Sequence, residues 1–267
     1  MKICAIKDES IQQRIIGYLF YYEKSKMFFL ELSDAIDEKE FPIFLSSFVR
    51  KGSFSVDHEW SARWVQQRIV PTDRQNLGMI LRENRLKEYD VFRLLMLGNG
   101  RCAQDDCAIV PVKKEQLPEW MTGRLKKRLA FAAVLSEWNL LLTFCDGTIR
   151  RADISKDLEM DRKKRILLSR PDAFRAVRLL PGGNGVFWGE GMFMMAEDLY
   201  QKGVRIPLIA DELRDVVKQY ILDTADVCEE LHCSRQYVNQ LVQKNELAIL
   251  KQSGNNRLFA RGDVERM

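Results

Sequence analysis

Hydrophobic positions along the chain change their spacing several times, and each change predicts an element. Ile15–Tyr22 and Met27–Leu32 are aromatic-rich runs separated by Glu23-Lys24-Ser25-Lys26, the pattern of a β-hairpin with a four-residue turn. Over Arg74–Leu86 the residues Leu77, Ile80 and Leu81 fall at i, i+3 and i+4, which is helical spacing. A second helix is expected over Glu88–Leu97, stopped by Gly98-Asn99-Gly100, and Cys107–Val112 is a strand candidate. Residues 1–122 are therefore expected to form a mixed α/β domain, with a sensor or interaction role.

Lys113–Arg128 has the texture of a connector, with Pro118 followed by the basic residues Arg124, Lys126, Lys127 and Arg128. A second domain is expected over 136–203. There, Leu140–Phe144 and Thr148–Ile154 flank Asp146-Gly147, a strong hairpin signal. Ala176–Leu180 and Val186–Trp188 flank the turn Pro181-Gly182-Gly183-Asn184-Gly185, and Met194–Gln201 suggests a closing helix ending at Gly203. Leu208, Ile209, Leu213, Val216 and Val217 predict a linker helix over 204–220, with Pro207 in its first turn.

The last segment, 221–267, has the most specific pattern. Thr224 suits an N-cap before Ala225–Leu231, in which Val227 and Leu231 face one side. After His232-Cys233, Ser234 suits a second N-cap before Arg235–Lys244, with Val238, Leu241 and Val242 on the buried face. Two short helices joined by a tight turn are the helix-turn-helix arrangement, and two β runs, Leu247–Gln252 and Arg257–Ala260, follow around Ser253-Gly254-Asn255-Asn256 as a wing.

Charge sharpens this picture. The 267-residue chain carries a net charge of only +4, which neither requires nor excludes a polyanionic partner. Its distribution says more. Ser234–Arg261 holds five basic residues, Arg235, Lys244, Lys251, Arg257 and Arg261, against the single acid Glu246, whereas the preceding helix carries Asp223, Asp226, Glu229 and Glu230. Positive charge thus gathers on the second helix and the wing, the elements that would meet phosphates. Ser234, Arg235, Gln236, Tyr237, Asn239, Gln240 and Lys244 on the helix, with Lys251, Asn255, Asn256, Arg257 and Arg261 on or after the wing, are the expected DNA-binding residues.

Two resemblances add to this reading. Thr224-Ala225, Ser234-Arg235-Gln236-Tyr237-Val238, Glu246-Leu247, Arg257 with Phe259, and Asp263-Val264 occur in order, and the segment resembles the excisionase and MerR-type DNA-binding family. The departure is His232, where that family usually has Gly in the turn. Leu141-Leu142-Thr143-Phe144, Asp146-Gly147, Phe174, Trp188 before Gly191, and Leu199-Tyr200 before Gly203 resemble a small bacterial α+β domain of unknown function. That domain is sometimes fused to a helix-turn-helix, and some members are thought to be antitoxin-side proteins.

Other constellations carry less. Cys228, His232 and Cys233 are close in sequence but lack a fourth metal ligand, so a buried thiol and a turn residue are the simpler reading. Arg68, Asp73, Arg74, Arg101, Asp105 and Asp106 would suit a phosphate or catalytic pocket, though charged residues near turns are usually solvated. Tyr18, Phe20, Tyr21, Tyr22, Phe28 and Phe29 would suit base stacking, but alternating aromatics in a hairpin are more often core. No phosphate-binding loop, nucleophile elbow or kinase signature is found. The start shows no secretory signal, no apolar run reaches membrane-spanning length, and the six scattered cysteines read as reduced thiols.

The expected fold class is α+β multidomain: two mixed α/β domains followed by a small winged helix-turn-helix. The expected function is sequence-specific binding of double-stranded DNA by a cytoplasmic homodimer, in transcriptional regulation, with no catalysis, metal or cofactor. Two alternatives stay open, an antitoxin-type protein that sequesters a partner through its upstream domains, and an enzyme housed in the N-terminal segment.

Overall fold

The computed structural model describes residues 1–10, 14–135, 138–189 and 191–265, so the expected domain limits at 136 and 267 lie outside the described residues. The chain is of the α+β class, built from several antiparallel sheets with helices between them. It divides into two compact units, one of residues 1–146 and 151–203 and one of residues 147–150 and 204–267.

The first unit opens with β1 (Lys2–Asp8), β2 (Arg14–Tyr22) and β3 (Met27–Leu32), followed by α1 (Ile43–Arg50), β4 (Ser55–Val56) and α2 (His58–Gln66). Helices α3 (Leu77–Glu83) and α4 (Val91–Leu97), strand β5 (Cys107–Val112) and helix α5 (Glu119–Lys126) come next. The strands form an antiparallel sheet in the order β4-β3-β2-β1-β5. Successive side chains of a strand point to opposite faces, and here both faces are covered. Cys4, Ile6, Leu19 and Leu30 meet Leu45 of α1, Trp64 of α2 and Leu95 of α4. Ala5, Phe20 and Phe29 meet Met121 of α5 and Leu180 on the other side. Double-sided burial is why β2 and β3 read as apolar on both faces, broken in β3 only by the buried Glu31, and why their aromatics are core: Tyr18, Phe20, Tyr21, Phe28 and Phe29 are all buried. Lys113–Arg128 is not a plain connector, because α5 anchors it through the fully buried Met121.

The rest of this unit comprises β6 (Leu129–Val134), β7 (Asn139–Phe144), the end of β8 (Thr148–Asp153), α6 (Ser155–Met160), α7 (Pro171–Arg175), β9 (Arg178–Leu179), β10 (Gly185–Gly189), β11 (Met192–Met195) and α8 (Ala196–Lys202). β6 pairs with β7, and β10 lies between β9 and β11, all antiparallel. Leu140, Leu142, Phe144, Phe174, Val186 and Leu199 share one core. Gly182 must be glycine twice over: its φ is +67°, and a Cβ there would lie 1.9 Å from Tyr22 Oη.

In the second unit, residues 204–220 are not one helix. Val204–Ile209 form strand β12 at the edge of its sheet, and only Ala210–Tyr220 are helical, as α9. Val204, Ile206 and Ile209 are β-branched, and an edge strand tolerates Pro207, which has no N–H to donate. There follow β13 (Ile221–Asp223), α10 (Thr224–Glu230), α11 (Arg235–Gln243), β14 (Lys251–Ser253), β15 (Asn256–Ala260) and α12 (Arg261–Glu265). β15 pairs antiparallel with both β13 and β14. A small core of Leu222, Val227, Val238, Leu241, Leu247, Phe259 and Val264 joins these elements. No helix among the described residues is long and apolar enough to cross a membrane.

Candidate nucleic-acid interface

The N-cap of α10 is Asp223, not Thr224. Asp223 Oδ1 accepts from the amides of Ala225 (2.6 Å) and Asp226 (3.0 Å), and Asp226 Oδ2 accepts in return from the Asp223 amide (2.8 Å). This capping box uses a carboxylate at the positive end of the helix, which Thr224 does not supply. The helix closes with a Schellman turn: the Cys233 amide donates to the Cys228 carbonyl at 2.9 Å and the His232 amide to that of Glu229 at 3.3 Å. His232 sits at φ +49°, the left-handed conformation that the turn demands and that glycine adopts at least cost.

Ser234 starts α11 as expected, its Oγ accepting from the Tyr237 amide at 3.3 Å. Val238 and Leu241 turn into the core, while Arg235, Gln236, Tyr237, Asn239 and Gln240 are exposed on the other side. Lys244 is the C-cap, also exposed, and Asn245 continues into a second Schellman turn at φ +56°. The paired part of the hairpin is shorter than the apolar pattern suggests. β14 starts at Lys251, Leu247 before it is buried in the core, and Gly254-Asn255 alone form the turn, with Gly254 at φ +58°.

Helix and hairpin share the core of Val238, Leu241 and Phe259, and at the surface Arg257 Nη1 donates to Asn239 Oδ1 at 2.7 Å. Arg235, Asn239, Asn255, Asn256 and Arg257 line a groove of about 510 Å³. Its wall also includes Thr224, Gln252 and the capping carboxylate of Asp223. Gln252 was not anticipated, yet it is the cross-strand partner of Arg257, which a period-two reading of the hairpin supplies. Gln236, Tyr237, Gln240, Lys244, Lys251 and Ser234 are exposed outside this groove.

Arg261 stands apart. Its Nε donates to the Gln219 carbonyl at 2.7 Å and its Nη1 pairs with Glu230, so this guanidinium ties α12 to α9 and α10. Among the other candidates, Arg68 is buried beside Asp105 with its guanidinium 3.6 Å from the Trp64 ring centroid, and Arg101 pairs with Glu9 at the surface. Asp73, Arg74 and Asp106 are exposed. No group of three or more His, Cys, Asp or Glu side chains among the described residues is placed to hold a metal ion. Burial, then the neighbouring Cys228 thiol, pushes the Cys233 thiol up. Comparison of the chain with family models, with curated proteins and with solved structures found no match to any of them.

Proposed function

We propose that residues 221–267 are a winged helix-turn-helix that binds double-stranded DNA, with α11 as the helix entering the major groove and β14–β15 as the wing. The observation that carries this reading is the continuous polar surface of α11 and the hairpin, joined at Asn239 and Arg257 and backed by the buried Val238 and Leu241. Arg and Asn side chains on such a surface suit base edges, through guanine O6/N7 and adenine N6/N7, while Lys244 and Lys251 suit phosphates. The resemblance to excisionase and MerR-type proteins points the same way.

One module of this size touches few base pairs, so the reading includes a homodimer on paired half-sites, and a role in regulating transcription. A gel-shift titration against duplex from upstream of the chain's own coding sequence tests it. Retardation that weakens as salt rises, and that is lost on combining Arg235→Ala with Arg257→Ala, is the expected result. Absence of retardation, or a double variant that shifts DNA like the wild type, contradicts it.

A further inference from the structure

Within the first unit, a cavity of about 290 Å³ opens between β3, α5 and α8. Its floor is a buried ionic network. Glu31 of β3 accepts from Arg128 Nη2 at 3.1 Å and from Ser55 Oγ at 2.8 Å, and lies 3.5 Å from Arg124 Nη1. Arg128 Nη1 donates to Tyr22 Oη at 2.7 Å, and Arg124 Nη1 to the Leu32 carbonyl at 2.6 Å. The side chains of Glu31 and Arg128 are 4% and 7% exposed, so this network is part of the fold.

Among the described residues, two of its donors have no hydrogen-bond acceptor: Arg128 Nε and Arg124 Nη2, the latter 3.2 Å from Asp34 Oδ2 but not aligned to donate to it. Native proteins rarely leave a buried charged donor unmade. The carboxylates beside these donors are engaged: Glu31 accepts from Arg128 and Ser55, and Asp34 pairs with Arg124. The donors left over are both guanidinium N–H groups, which an anionic acceptor would satisfy.

Its walls add flat apolar surface and a further cation. The Arg124 guanidinium lies 4.9 Å from the Trp120 ring centroid and 5.3 Å from that of Phe54, and Lys127 Nζ lies 5.3 Å from that of Tyr200. Burial and the nearby Glu31 charge push the Glu197 carboxyl on this wall up. A cavity in which apolar surface meets convergent polar groups is the ordinary form of a ligand site.

We infer that this cavity binds a small anion carried on a planar ring, a ring carboxylate or ring phosphate, with its acid group at Arg124, Arg128 and Lys127 and its ring between Trp120 and Tyr200. The carboxylate and phosphate forms share this chemistry, and two probes separate them.

Calorimetric titration of the full chain with benzoate and with phenyl phosphate tests the assignment, with acetate and inorganic phosphate as ringless anions and benzylamine as a ring cation. One ring anion binds one per chain and about tenfold or more tighter than its ringless counterpart, and benzylamine does not bind. Lys127→Ala, at an exposed position that should leave folding intact, weakens that binding about tenfold, and Arg124→Lys, checked for folding by circular dichroism, weakens it further. Saturable binding of neither ring anion, preference for benzylamine, or affinity unchanged in Lys127→Ala overturns the inference.

Discussion

Arg257 of the hairpin donates to Asn239 of α11 at 2.7 Å, and through this contact two elements eighteen residues apart present one surface. The contact is exposed, so its own contribution to stability is small, about 0.5–1 kcal/mol. Arg257→Ala should therefore leave hydrogen exchange of the Val227 and Val238 amides within that margin. DNA affinity, read by fluorescence anisotropy, should fall by about 1–3 kcal/mol for Arg257→Ala and for Asn239→Ala, the worth of a base contact. The two losses should not add in the double variant, because each side chain orients the other.

Lys251 and Arg261 were alike in sequence as basic residues of the same segment, but the structure gives them different tasks. Lys251 is exposed on the hairpin, so Lys251→Ala should reduce the slope of log affinity against log salt by about 0.9. Arg261 is held by Glu230 and the Gln219 carbonyl. Arg261→Ala should leave that slope unchanged while loosening α12, seen as faster exchange of the Val264 amide.

His232 adopts a left-handed backbone at φ +49° that its Cβ disfavours. His232→Gly should stabilise the second unit by about 0.5–1 kcal/mol, less than the full left-handed penalty because glycine is freer when unfolded. Slower exchange of the Leu241 amide would register the gain. Phe259 is the largest side chain of a seven-residue core, and Phe259→Ala should cost about 3–5 kcal/mol, exposing the second unit to proteolysis while the first stays intact.

Burial pushes the carboxyls of Glu197 and Asp198 up from their ordinary values of 4.5 and 3.8. The folded form thus holds these protons more tightly than the unfolded chain. The associated stability is fully present below the unfolded values and is lost as pH rises through the raised ones. All five tryptophans lie in the first unit, so their emission during urea unfolding reports it alone. Glu197→Gln should flatten the decline in urea midpoint between weakly acidic and neutral pH.

What could be read in advance was what is local. The β2–β3 hairpin, the Ser234 cap and the buried Val238 and Leu241 follow from spacing within one or two turns of chain. The cap of α10 was misplaced by one residue because Asp223 and Thr224 are both competent, and only the hydrogen bonds choose. Helices α1 and α2 were not foreseen, since their burial depends on a sheet face that forms elsewhere in the sequence. The same limit hid the Arg261–Glu230 pair, whose partners lie 31 residues apart, and the Glu31–Arg128 network, whose partners lie 97 apart. Counting basic residues locates a positive segment but does not tell an available guanidinium from one already engaged.

The central claim, that α11 and the hairpin bind DNA together, is tested most directly by anisotropy titrations of labelled duplex across a salt series, with wild-type chain and the Arg235→Ala, Arg257→Ala double variant. If Lys244 and Lys251 meet phosphates while Arg235 and Arg257 meet base edges, the wild type should show saturable binding with a log–log salt slope of about −2 per module, and the double variant a similar slope with affinity down at least about tenfold. Saturable wild-type binding that ignores salt, or a double variant that matches the wild type in affinity, would contradict the account.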